Sequence, residues 1–357
     1  MIGWVTNGYN IEREQGMLKR VFFAGAVCAF VAVSAPVGPA RAQSVEAFYS
    51  KNDISIIIGY NPAGTYDIYA RLAAKHLPRH IPGKPAIIAK NVPGVGSIKA
   101  ANFLYEQAPR DGSVIGVISQ GTALQQALKH PAIRYKAREF NWIGRLTSAV
   151  EVTIVWHTVP VKTIEDAKKR EVIIGGTSAR SSTDTNHKVM NAIAGTKFKM
   201  VLGYKGTTGA MLAMERGEVE GSLAVVQNLL IQKPDWLRDK KVSVLVQYSQ
   251  KRHRAFPDVP AMVEFGETEE DKQILALYGS TAEVGRSIMA PPEVPRDRLA
   301  ALRAGFVAML KDPAFLAEME QRKMELDPLT GEELQKLVDG TFAISPKAAE
   351  RAAAARK

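Results

Sequence analysis

The chain reads as an α/β protein with mostly parallel sheets, and three observations predict it. Short β-branched apolar runs alternate with amphipathic helical stretches along most of the sequence. Two segments, Ile54 to Leu77 and Lys199 to Gly217, follow one plan: an apolar run, a loop of small residues, then an amphipathic helix. No period of solenoid length recurs.

The elements follow in order. Ile54 to Gly59 is strand-like, and Tyr66 to His76 is helical until Pro78 and Pro82-Gly83 close it. Ala86 to Val92 is a second strand; Ser97 is a candidate N-cap for a helix through Gln107. Val114 to Ser119, Trp142 to Leu146 and Val152 to Trp156 are further strands. Thr163 opens a short helix before a strand at Val172 to Ile174, and Asp184 to Ala194 is a helix stopped by Gly195. Phe198 to Tyr204 is a strand, and Thr208 to Arg216 a helix with Gly217 as its C′ residue. Val219 to Val226 and Val242 to Tyr248 complete this set, and Pro257-Asp258-Val259-Pro260 marks a crossover. Ser287 to Ala290 is a strand; Arg298 to Lys311, Ala314 to Arg322 and Glu332 to Phe342 are helices; the Ala/Arg-rich end from Lys347 is expected to fray.

The N-terminus has the form of an export signal. Lys19 and Arg20 precede an apolar run, Val21 to Val33, too short to span a bilayer comfortably, and Ala40-Arg41-Ala42 supplies an A-x-A cleavage pattern, an uncleaved membrane anchor being the alternative. Gln43 is then the first mature residue, and Met17 is a candidate true start. The only cysteine, Cys28, lies in the leader, which excludes disulfides, cysteine nucleophiles and Cys-ligated zinc from the mature chain. The net charge of +11 falls to +9 once the leader's +2 is removed. Its basic residues are scattered and not interleaved with aromatics, so a nucleic-acid partner is not expected.

Catalytic signatures are absent. No G-x-S-x-G elbow, Walker A or full dinucleotide fingerprint occurs. His76 and His80 stand four apart, but Pro78 between them disrupts a metal-binding helix face. No catalytic, metal or cofactor residue is predicted. The strand-to-helix loops point instead to an anion, because a helix N-terminus leaves N–H groups unpaired and its dipole favours negative charge. The first loop offers Tyr60, Asn61, Ala63, Gly64 and Thr65, with Asp67 in the first helical turn either offsetting the dipole or holding the loop for ligand. The second offers Tyr204, Lys205 and Gly206, where Lys205 supplies positive charge or is simply solvated. Arg180, Ser182 and Thr183 form a hydroxyl-rich helix entry, as caps or as ligand donors, and Gln120 and Gln227 fall just after strands, where α/β sheets place ligands.

These residues carry a family likeness. Asn61-Pro62-Ala63-Gly64-Thr65-Tyr66-Asp67 with Ala70-Arg71 resembles the Pro-Gly-Gly-x-x-Asp-x-x-Ala-Arg signature of the substrate-binding proteins of tripartite tricarboxylate transporters. Asn91 to Ser97, Pro109-Arg110-Asp111-Gly112, Gly203-Tyr204-Lys205-Gly206, Phe256 to Pro260 and Met289-Ala290-Pro291-Pro292 resemble further motifs of that family, in order. The resemblance implies a two-lobed periplasmic-binding-protein-like fold of type II, each lobe a mixed sheet flanked by helices, with a hinge between. Lobe I would comprise residues 43–147 and 262–345, lobe II residues 148–261, after a signal peptide at 1–42 and before a basic Ala-rich tail at 346–357. It implies a periplasmic monomer that captures a small di- or tricarboxylate or related organic acid and delivers it to membrane permease subunits. An exported α/β enzyme acting on an anionic substrate, or a ligand-sensing partner of a membrane sensor, are the alternatives. Three departures bear on selectivity: Ala63 replaces a glycine, Tyr66 a small residue, and Arg180 a residue that is glycine in many relatives.

Overall fold

Alternation along β1 (Ile54–Ile58) sets the first layer. Ile54, Ile56 and Ile58 are buried on one face and Ile57 on the other, so this strand is covered by helices on both sides. The computed structural model describes residues 44–179 and 181–356, within one compact unit spanning residues 43–357. The expected signal peptide lies outside the described residues.

Helix α1 (Val45–Tyr49) precedes β1, and α2 (Thr65–His76), β2 (Ile87–Asn91), α3 (Ile98–Glu106), β3 (Val114–Val117), α4 (Thr122–Ala127) and β4 (Asn141–Thr147) follow it. The chain then crosses through residues 148–150 into β5 (Glu151–Trp156), α5 (Ile164–Lys169), β6 (Val172–Gly176), α6 (Ser182–Ala194), β7 (Phe198–Leu202), α7 (Gly206–Glu215), β8 (Gly221–Val225), α8 (Val226–Gln232), α9 (Pro234–Arg238) and β9 (Val242–Tyr248). It returns through α10 (Glu269–Val284) to β10 (Arg286–Ala290), then α11 (Arg296–Met309), α12 (Pro313–Gln321), β11 (Leu329–Thr330), α13 (Gly331–Thr341) and α14 (Pro346–Ala355).

Two mixed sheets result. The first has the order β11-β4-β10-β3-β1-β2, the second β7-β6-β8-β5-β9. In the first, β1 runs parallel to β2 and β3, while the returning β10 inserts antiparallel between β3 and β4. In the second, β6 is parallel to β7 and β8, and β5 is antiparallel to β8 and β9. The first sheet is therefore complete only after the chain has built the second and come back. The chain passes between sheets twice, which is the connectivity of a two-lobed protein.

Local chemistry fixes the joints. Thr163 caps α5 and Thr268 caps α10, each in a reciprocal capping box with an aspartate at the third helical position. Gly195 ends α6 in the left-handed conformation, with φ +71°. Gly285 turns the chain from α10 into β10 with φ +53°, and a Cβ there would lie 2.1 Å from the Thr147 carbonyl oxygen, so only glycine fits.

Three expectations differ from the structure. The sheets are mixed rather than mostly parallel, because the strands at and after the crossings, β4, β5, β9, β10 and β11, all pair antiparallel. Ser97 has φ +76° and makes no cap to α3; its hydroxyl instead accepts from the Ser119 N–H at 3.1 Å. The end of the chain is a helix rather than a frayed tail: Ser345 caps α14, and Ala348 and Ala352 are fully buried. They share a core with Val155, Ile174, Leu223, Ile274 and Tyr278, so α10 and α14 both pack on the second sheet. Helix α10 also touches α4 and α13 beside the first sheet, and so spans the two.

Candidate functional site

The site begins at the end of β1. The chain leaves the strand through Gly59 and Tyr60, turns, and enters α2 with Gly64 as N-cap and no side chain capping the helix. Ala63 sits at φ +67°, a conformation in which a Cβ is strained. Asp67 holds this turn from below. Its buried carboxylate accepts from the Ala63 N–H at 3.0 Å, from Arg71 Nε at 2.9 Å and from Asn91 Nδ2 at 2.8 Å. Burial alone would raise the Asp67 pKa, but the Arg71, Asn91 and Ala63 donors outweigh it and hold the group below the ordinary aspartate value. Asn91 also donates to the Tyr60 carbonyl at 2.9 Å. Asp67 thus faces β2 and shapes the loop from behind.

The loop's aromatic residues face the other way, into a cleft of about 640 Å³. Tyr60 and Tyr66 stack with centroids 4.1 Å apart and planes at 16°. The Tyr66 hydroxyl accepts from the Gln120 N–H at 3.0 Å and donates to Gln120 Oε1 at 3.2 Å. Over the Tyr66 ring, at 4.0 Å, lies the guanidinium of Arg286, the first residue of β10. Its Nη1 donates to Gln120 Oε1 at 2.5 Å, and its Nη2 lies 3.5 Å from Thr65 Oγ1. The residue is 4% exposed, its Nε is buried with no partner, and no carboxylate among the described residues pairs with it. A buried guanidinium with a spare donor, lining a cavity, has the chemistry to take an anion.

The opposite wall comes from the second sheet. Glu151 heads β5, and its carboxylate accepts from Ser182 Oγ at 2.9 Å and Asn186 Nδ2 at 3.0 Å. Both donors lie in the first turns of α6. Burial pushes the Glu151 pKa up, and Ser182, Arg286 and Asn186 offset only part of that. The loop before α6 brings Ser178 and Ser181 to the same wall, and Ser181 as N-cap makes no side-chain cap.

The predicted residues divide accordingly. Tyr60, Gln120 and Ser182 line the cleft. Thr65 reaches it through Arg286. Asn61, Ala63 and Gly64 lie exposed on the crest of the loop, away from the cleft wall. Thr183 is buried and holds its own loop, accepting from the Thr177 N–H at 2.9 Å. Tyr204, Lys205 and Gly206 follow β7 at the sheet edge, tied to β6 by the Tyr204 N–H donating to the Gly176 carbonyl at 3.2 Å; Lys205 is exposed and not on the wall. Gln227 is buried elsewhere, donating to Thr147 Oγ1 at 2.9 Å and to Glu325 Oε2 at 3.3 Å. It ties α8 to the first sheet. Arg180 lies outside the described residues. The loop facing Tyr60 and Tyr66 is thus the one before α6, whereas the plan shared by residues 54–77 and 199–217 favoured the one before α7.

Arg286, Glu151 and Asn186 escaped the sequence reading. Arg286 and Glu151 each open a strand that runs antiparallel to its neighbour, β10 beside β3 and β5 beside β8, so each stands beside the carboxyl end of that neighbour, where α/β sheets place ligands.

Residues 69–348 match the family model of the tripartite tricarboxylate transporter family receptor. This chain belongs to that family. The match begins inside α2, so the turn from Tyr60 to Asp67 precedes it. A relative, the UPF0065 protein in gbd 5'region of Cupriavidus necator, is 28% identical over 70% of this chain and 75% of its own length. Among solved structures, the periplasmic binding protein BugD superposes with a TM-score of 0.60 at 21% identity, covering 85% of this chain and 98% of its own. A Rhodopseudomonas palustris protein solved with adipate gives 0.61 at 19%, covering 85% and 97%. MatC from Rhodopseudomonas palustris, with bound malate, gives 0.60 at 18%, covering 86% and 99%. These likenesses establish the two-lobed binding-protein fold for this receptor. Among the described residues no helix is long and apolar enough to cross a membrane, and no His/Cys/Asp/Glu group is arranged to hold a metal.

Proposed function

We propose that this chain is an extracytoplasmic solute-binding protein that captures a small organic carboxylate in the cleft between its lobes. It then delivers that solute to membrane permease subunits as a monomer, from the periplasm, after its leader is cleaved. The observation that carries the reading is the buried, unpaired guanidinium of Arg286 on the cleft wall, stacked on Tyr66 and braced by Gln120. Burying such a charge without a counter-ion is unfavourable, and a ligand carboxylate supplies the counter-ion. Adipate and malate, the acids in the two Rhodopseudomonas palustris structures, are of this chemical class.

In this reading Tyr60, Gln120 and Ser182 touch the ligand with Arg286, and Thr65 steadies the guanidinium. Asn61, Ala63, Gly64 and Asp67 hold the turn that carries Tyr60 and Tyr66. Residues 43–147 with 262–345 form one lobe and 148–261 the other, hinged at the two crossings. Helices α10 and α14 link them, and the Gln227 amide donating to Glu325 Oε2 fastens one lobe to the other.

The test is a thermal-shift panel of mono-, di- and tricarboxylates, with uncharged analogues as controls. A ligand at a hundred times its dissociation constant stabilises the fold by about 2.7 kcal/mol. Stabilisation by acids and not by their amides is expected. Equal stabilisation by the amides, or none by any acid, would overturn the reading.

A further inference from the structure

The two walls of the cleft present a guanidinium and a carboxyl group to the same space. On one wall stands Arg286, with its free Nε; on the other stands Glu151, whose two oxygens each accept one bond, from Ser182 and from Asn186. No ion pair within 4 Å joins them, and both line the same cavity. A carboxylate oxygen can accept two bonds, so Glu151 keeps acceptor capacity directed at the cleft. We propose that Glu151 is the specificity-determining residue of this site, and that the ligand carries a carboxylate for Arg286 and a hydrogen-bond donor, ammonium or hydroxyl, for Glu151. This rests on the carboxylate reading above and narrows it.

The argument is one of exclusion as much as attraction. A plain dicarboxylate that filled the cleft would bring its second carboxylate against Glu151, and like charges juxtaposed in a partly desolvated site cost several kcal/mol. Among the described residues the other arginine on the wall is Arg356 at the end of α14, half-buried and already donating to the Leu128 carbonyl at 3.1 Å. His130 also lines the wall. Ser182 and Asn186 hold the Glu151 carboxylate in one orientation, as a recognition element requires.

The experiment is calorimetric titration of the purified protein at pH 7.5 with length-matched acids of four, five and six carbons: the dicarboxylate, the ω-amino acid, the ω-hydroxy acid and the unsubstituted monocarboxylate. At the best length, a donor-bearing acid is expected to bind at least about ten-fold tighter than the dicarboxylate. Glu151→Gln, whose amide no longer repels a carboxylate, is expected to remove that preference. Dicarboxylates binding as well as or better than the donor-bearing acids in the wild type would overturn the proposal. If Arg356→Ala then abolished their binding, the second carboxylate would be assigned to Arg356. An unchanged preference in a folded Glu151→Gln would also overturn it. Each of these leaves the carboxylate reading standing. Binding of no acid at any length would overturn both. Should Glu151→Gln fail to fold, the wild-type series decides alone.

Discussion

Replacing Arg286 by glutamine separates a binding residue from a structural one. In the bound state the guanidinium would donate charge-assisted bonds to a ligand carboxylate in a cleft that excludes much of the water. Hydrogen bonds to charged groups contribute about 1.5–3 kcal/mol each, and removing one member of a buried charge pair costs about 2–5 kcal/mol. An affinity loss of about 2–4 kcal/mol follows, or roughly 30- to 1000-fold in Kd. The unliganded protein should respond differently. It loses the stacking on Tyr66, worth about 1–2 kcal/mol when desolvated, and the bond to Gln120. It is also relieved of a buried guanidinium with an unpaired Nε, a penalty of similar size. The stability change in urea is therefore expected to stay within about 1 kcal/mol. Titration calorimetry and urea denaturation of the same preparation test both halves. Unchanged affinity, or a destabilisation of several kcal/mol accompanying the affinity loss, would refute the assignment.

Ala63→Gly should stabilise the unliganded protein by about 1 kcal/mol, since alanine at φ +67° carries a left-handed strain that glycine does not; denaturant midpoints check this, and a loss of stability would show the turn geometry misjudged. Lys205→Ala should leave ligand affinity within about two-fold, because an exposed lysine off the cleft wall gains little from a distant carboxylate; a ten-fold loss would place the loop before α7 at the ligand. His187 is fully buried, its Nδ1 donating to the Thr183 carbonyl and its Nε2 facing Thr153, and burial pushes its pKa down to about 4. The unfolded chain binds that proton near pH 6.5. The neutral imidazole therefore stabilises the fold fully above pH 6.5, and its contribution falls by up to about 1.4 kcal/mol per unit as pH drops toward 4. An imidazole resonance of His187 titrating near 6.5 in the folded protein would contradict this.

The fold was legible where local chemistry is strong. The short β-branched run of β1, the capping box at Thr163 and the left-handed stops at Gly195 and Gly217 all carry their instructions within a few residues. Helix α10 did not, although Thr268 and Asp271 form a capping box at its start. Its middle contains Gly279, Ser280 and Thr281, poor helix formers. The reason lies in a distant segment: a Cβ on residue 279 would meet the Ser249 backbone at 3.0 Å, so the glycine serves packing and the helix tolerates its cost. Residue 249 follows β9, and nothing near residue 279 in the chain announces that approach.

The site was half legible for a related reason. The turn at Tyr60 to Asp67 is contiguous, so its motif could be read, and the structure keeps it together around Asp67. The charges are not contiguous. Arg286 reaches Gln120 across 166 positions of sequence because β10 inserts beside β3 only after the second lobe has been built. Glu151 owes its place to the first crossing, which ends where β5 begins. Both residues therefore sit at the ends of the segments that join the lobes. A rotation of one lobe on the other would change the distance between guanidinium and carboxylate while leaving Tyr66, Gln120 and Arg286 together on their own wall. On the proposed reading the Arg286 wall would hold the carboxylate in any state of the cleft, and Glu151 would test the rest of the molecule as the lobes come together. An acid lacking a donor should then bind weakly with little closure, which small-angle scattering of the protein with hexanoate against 6-aminohexanoate would detect. Equal compaction by both acids would show that closure does not depend on Glu151.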